Sequence, residues 1–100
     1  MANQITYVVC IPGTSENKVP GGNAKAYWES KTGIKATTCS CVNCNSKADD
    51  GSHVVIAEQL PNGEWVYNSD GQQYIVPMCH ECNEQEGILM CVNAKLVPVP

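Results

Sequence analysis

Arginine and phenylalanine are both absent from this 100-residue chain, and aromatic residues of any kind make up only 6% of it. The missing arginine matters most. Arginine is the main reader of guanine edges and phosphate forks, and nucleic-acid binders usually concentrate it on one basic face. The six lysines stand apart, at Lys18, Lys25, Lys31, Lys35, Lys47 and Lys95, against ten carboxylates and a net charge of −4. Nucleic acid is therefore not the default partner. No apolar run approaches the roughly 18 residues of a membrane span. No basic segment and apolar stretch of secretory type opens the chain. No GxGxxG or Walker pattern surrounds Gly21-Gly22, so that pair reads as an ordinary loop. These absences predict a soluble, cytoplasmic protein with no membrane partner.

What the chain does have is cysteine, seven in 100 residues. A chain of this size buries a limited core and needs a staple. In a reducing compartment an odd number of cysteines points to metal rather than to disulfides. Two C-x-x-C turns, Cys41-Val42-Asn43-Cys44 and Cys79-His80-Glu81-Cys82, are separated by 34 residues. Each turn can give two thiolates to one ion, and two turns complete a tetrahedral zinc site with no open position. The expected ligands are Cys41, Cys44, Cys79 and Cys82. Cys39 is a competing ligand: in an extended Cys39-Ser40-Cys41 segment both thiols face the same side, so Cys39 can replace Cys41. An iron site is compatible with the same spacing. Cys10 and Cys91 lie in apolar runs and read as core residues.

Along the chain, β-branched residues at 5–11 predict a strand, closed by Pro12-Gly13-Thr14-Ser15 and followed by a loop to Gly22. Asn23 can cap a helix over 24–32, with Gly33 as its left-handed terminator and Tyr27 and Trp28 as core contacts. Strands are expected at 53–57, 64–67 and 74–76, the first two joined as a hairpin through Pro61-Asn62-Gly63. Asn68-Ser69-Asp70-Gly71 is a turn, and Pro77 is expected to end the third strand. A short helix over 81–86 stops at Gly87, and extended segments at 88–92 and 96–97 close the chain. The fold class is α+β: a single small zinc-stabilised domain over 1–100 with β-hairpins and one or two short helices. It divides into an N-terminal extension (1–38), a metal-binding core (39–86) and a C-terminal strand (88–97).

Cys41-x-x-Cys44, Ser52-His53-Val54-Val55 and Tyr74-Ile75-Val76-Pro77-Met78-Cys79-x-x-Cys82-Asn83 together resemble the zinc-knuckle HNH nucleases over residues 39–86. The resemblance implies a treble-clef, ββα-metal core: a zinc knuckle, a β-hairpin, and a helix carrying the second cysteine pair. It implies a general base at His53 and a catalytic-cation ligand at Asn83. Two positions depart from the family pattern. Ser52 stands where a metal-binding Asp is expected, and Tyr74 where the central Asn is expected. A hydroxyl is a poor ligand for a hard cation beside a carboxylate. The expectation is thus an HNH-like scaffold without an intact catalytic motif, working as a zinc-binding protein-interaction module. The alternative is an HNH-type metal-dependent nuclease or nucleic-acid-binding protein using His53 and Asn83. His53 is expected to be structural, and His80 exposed with its ring free.

Overall fold

The computed structural model describes residues 5–11, 24–42, 44–68, 70–85 and 87–99. The expected turn and loop at 12–22, the cap at Asn23, and Asn43, Ser69 and Glu86 lie outside these residues. The elements are β1 (Thr6–Cys10), α1 (Ala24–Thr32), β2 (Asp50–Ile56), β3 (Glu58–Gln59), β4 (Trp65–Val66), β5 (Tyr74–Met78), α2 (His80–Asn83), β6 (Leu89–Val92) and β7 (Val97–Pro98). Five strands form an antiparallel sheet in the order β6-β1-β2-β5-β7, and β3 and β4 form a separate two-stranded ribbon. Among the described residues no helix is long and apolar enough to cross a membrane. The small α+β architecture is as the sequence pattern implies.

Three expected features come out differently. Residues 64–67 do not return along 53–57, because β1 and β5 already occupy both edges of β2; the turn instead closes the short β3–β4 ribbon beyond Ala57. Pro77 lies inside β5 rather than ending it. Its carbonyl accepts from the Ser40 amide at 2.9 Å, so the absent N–H falls on that side and not on the β2 ladder. The helix expected at 81–86 is the single turn α2 at 80–83. The expectation at 24–32 matches α1, and Gly33 takes φ 71° just beyond it.

The sheet has two apolar faces because successive residues of a strand point to opposite sides. On one face Val8, Cys10, Val54, Val76, Met78 and Val92 pack with the cysteine-rich segments. On the other, α1 lays Trp28 against Ala36, Ile75 and Val97. Trp28 is buried, and its indole N–H donates to the Lys95 carbonyl at 2.7 Å, which satisfies the one polar atom of the ring. The Glu29 carboxylate accepts from the Ala36 amide at 2.7 Å and ties the start of the following segment to the helix.

Gly51 is where α1 meets β2. A Cβ there would fall on the backbone of Ala24 and Lys25, atoms that cannot rotate away. Gly51→Ala is expected to destabilise the fold by about 1–3 kcal/mol, as overpacking does, and urea unfolding measures it. An unchanged midpoint would show that α1 can lift from the sheet without cost.

Candidate metal centre

Four sulfur atoms converge on the face opposite α1. The Sγ atoms of Cys39, Cys44, Cys79 and Cys82 all lie within 4.8 Å of one another. Cys44 Sγ is 3.8 Å from Cys79 Sγ and 4.0 Å from Cys82 Sγ. Thiolates at about 2.3 Å from a tetrahedral zinc stand about 3.8 Å apart. The cluster therefore has the size of a four-thiolate metal site and can hold a metal ion.

Each ligand is placed by local hydrogen bonding. The Cys39 amide donates to the Ser46 carbonyl at 2.8 Å and the Ala48 amide to Thr37 at 3.1 Å, which sets residue 39 beside the returning chain. The Cys44 amide donates to the Cys41 carbonyl at 3.1 Å and tightens the intervening turn. Cys79 caps α2: its sulfur accepts from the Cys82 amide at 3.5 Å, and one helical turn carries Cys82 back beside it.

The quartet differs from the spacing-based set at one position. Cys39 joins Cys44, Cys79 and Cys82, while Cys41, the expected ligand, stays outside the group. Residues 39 and 41 do share a side, as their parity requires. Cys41 is bridged to Val92, and its sulfur lies 3.9 Å from Met90 Sδ. The strand-like pairing of 37–39 with 46–48 carries Cys39, not Cys41, to the cluster. The C-x-x-C spacing favours Cys41, whereas the bridge of Thr38 to Lys47 brings Cys39 into the quartet.

Burial and crowding oppose ionisation of most thiols in and beside the cluster. Burial raises the Cys82 thiol well above its ordinary range, and neighbouring thiols push the same way. Burial also raises Cys41, to about 12. Cys79 is drawn down by the Cys82 amide, but burial and its neighbours Cys39 and Cys44 leave it net raised. Only Cys44, at about 7, is lowered, chiefly by hydrogen bonds from Ser46. Several buried thiolates side by side are unfavourable unless a positive ion neutralises them.

The positions suggested by the nuclease resemblance are brought together only in part. Ser52 and Asn83 meet on the metal face: the Ser52 hydroxyl donates to Asn83 Oδ1 at 2.6 Å, and Asn83 Nδ2 donates to Asp50 Oδ2 at 3.3 Å. His53, one residue on, points to the opposite face, opposite Ile75 in the ladder. It is buried, and its Nε2 has no hydrogen-bond partner among the described residues. Tyr74 pairs with Val54 and Pro98 and does not face His53. His80 is exposed as expected, but its ring is not free: Nδ1 lies 3.4 Å from Asp50 and Nε2 2.9 Å from Glu84. Asp50, whose spacing from His53 does not fit the family motif, is brought beside Asn83 and His80 by the extension of β2 back to position 50.

The two histidines titrate in opposite directions. Burial lowers His53 below its ordinary value, so its contribution to stability is complete above about pH 6.5 and is lost as pH falls below that value. Asp50 and Glu84 raise His80, whose contribution is present at low pH and is lost as pH rises through its raised value. His53→Leu should flatten the fall in melting temperature between about pH 7 and pH 5 relative to wild type, since thiolate protonation is common to both proteins. Parallel curves would show that His53 gains a proton without cost.

No protein-family model, no curated protein and no solved structure matches the chain.

Proposed function

We propose that Cys39, Cys44, Cys79 and Cys82 hold one zinc ion as a closed structural site, and that the protein works as a protein-interaction module on a treble-clef-like scaffold. The observation that carries this reading is the sulfur quartet, all within 4.8 Å of one another: four thiolates around one ion would complete a tetrahedron and leave no position for substrate or water. The order of parts supports the treble-clef comparison. A cysteine-bearing turn precedes the β2–β5 pairing, and α2 supplies the last ligand. The orientation of His53 away from Asn83, the absence of arginine and the net acidity argue against phosphodiester chemistry. Zinc is preferred to iron because the site needs no redox function to explain it.

Native mass spectrometry with elemental analysis on protein purified without chelators tests the metal assignment. One zinc per chain is expected; a folded chain without metal refutes it.

A second reading keeps an HNH-type nuclease. It is favoured by the side chains of Asp50, Asn83 and His80, which gather at one end of the sheet where a hard cation would find oxygen and nitrogen ligands. The measurement that separates the two readings is a cation-dependent cleavage assay.

A further inference from the structure

We propose that the groove between residues 34–41 and residues 93–95 docks an extended acidic peptide segment of a partner protein. The proposal rests on the interaction-module reading and names the partner chemistry for it. The groove encloses about 570 Å³, within the range of sites that hold a peptide side chain and its neighbours.

One rim of the groove is positive in a chain of net charge −4. Carboxylates outnumber lysines ten to six in the chain, yet Lys35 and Lys95 line the groove and among the described residues no Asp or Glu does, the nearby Glu29 carboxylate being engaged by the Ala36 amide. Both lysines are exposed and therefore able to reach a ligand.

The backbone offers pairing as well. Residues 37–39 bond to 46–48 along one edge only, through the Cys39 and Ala48 amides. Thr38 is the non-hydrogen-bonded member of that bridge, so its N–H and C=O point to the other edge, where they have no partner among the described residues. On that edge the neighbouring Ser40 is already committed to Pro77 and Asn93. One open donor and one open acceptor, two atoms of a short strand, suit an added peptide strand.

Two further features fit a peptide. Ser40 lies on the side of the segment that Ala36 shares with Trp28, and its hydroxyl is buried with no partner among the described residues. Ile34, half-exposed, and Ala94 supply apolar contact beside the lysines. Cys39 and Cys44 also line the groove. Four thiolates around a divalent ion carry net negative charge, so the acidic side chain of the peptide lies toward the lysines.

A random library of displayed peptides, selected on the metal-loaded full-length protein, tests this. Selected peptides should carry Asp or Glu among β-branched residues. They should shift the amide resonances of residues 35–40 and 93–95, Thr38 most of all. Lys35→Gln with Lys95→Gln should weaken binding about tenfold, since each exposed pair contributes up to about a fivefold factor. Both side chains are exposed, and the Trp28–Lys95 bond uses a backbone carbonyl, so the double variant keeps its fold. No selected peptide, or peptides without acidic residues, would overturn the proposal. Tyr7 and Trp65 form an exposed ring pair with centroids 4.5 Å apart, and shifts confined to that pair would overturn the groove while leaving the interaction-module reading intact. A single-stranded oligonucleotide that moves the same amides, with a steep salt dependence, would put nucleic acid in place of the peptide.

Discussion

Replacing any one of Cys39, Cys44, Cys79 or Cys82 by serine is expected to release the metal and unfold the chain, while Cys41→Ser keeps both metal and fold. The scale of the effect follows from the size of the protein. A structural zinc contributes on the order of 10–16 kcal/mol in small metal-binding peptides, and a domain of this size has about 5–15 kcal/mol of stability in all. A serine hydroxyl is a hard, weakly acidic donor and does not replace a thiolate on zinc. Three ligands also leave the remaining thiols crowded, with burial opposing their ionisation. Cys41 is different: its sulfur packs against Met90 at 3.9 Å and its backbone bridges Val92. Serine there puts a hydroxyl into an apolar neighbourhood, a loss of roughly 1–3 kcal/mol. Metal content by native mass spectrometry and urea midpoints for the five variants decide the matter. Metal lost from Cys41→Ser and retained by Cys39→Ser would reverse the ligand assignment.

That comparison also marks where the sequence is readable and where it is not. Helix α1 is legible from composition, because helix formers sit between a capping residue and Gly33, and these signals are local. The apolar strands β1 and β5 are legible for the same reason. Three of the four clustered cysteines follow from spacing alone. The fourth does not, because 39 and 41 have the same parity and differ only in which one faces the returning chain at 44–48. The position of Cys39 in the cluster depends on two hydrogen bonds between segments that no local pattern describes. The β3–β4 ribbon shows the same limit: its turn is written in Pro61-Asn62-Gly63, but its strand partners depend on β1 and β5 having taken the edges of β2. The groove lysines are harder still, since Lys35 and Lys95 are 60 positions apart in the sequence and line one groove because Trp28 packs on Ala36 and bonds the Lys95 carbonyl.

The protein is expected to leave plasmid DNA uncut in Mg²⁺, Mn²⁺ or Ni²⁺. Hydrolysis of a phosphodiester on an HNH-like scaffold needs a base for water, a cation on the scissile phosphate, and a surface that holds the backbone. His53 is the base that the family pattern suggests, but it faces the α1 side of the sheet, buried, while Asn83 lies on the other side bonded to Ser52. A base and a cation ligand on opposite faces of one sheet cannot act on the same phosphate. For the cation, Ser52 replaces a carboxylate. Asp50 stands near Asn83 and His80, but Glu84 already occupies one side of the His80 ring. For the backbone, the chain offers six dispersed lysines and no arginine. General acid–base catalysis alone supplies about 10²–10⁴-fold, far below what a phosphodiester requires, so the combined losses should reduce cleavage below detection. His53→Ala and Asp50→Asn are the controls. Metal-dependent nicking that Asp50→Asn abolishes, without loss of the thiolate-bound metal, would establish the nuclease reading with Asp50 on the cation. Nicking that His53→Ala abolishes would mean that the strand turns His53 toward Asn83 when DNA binds. The absence of nicking in wild type and both variants leaves the binding module, with its acidic-peptide groove, as the working account of the chain.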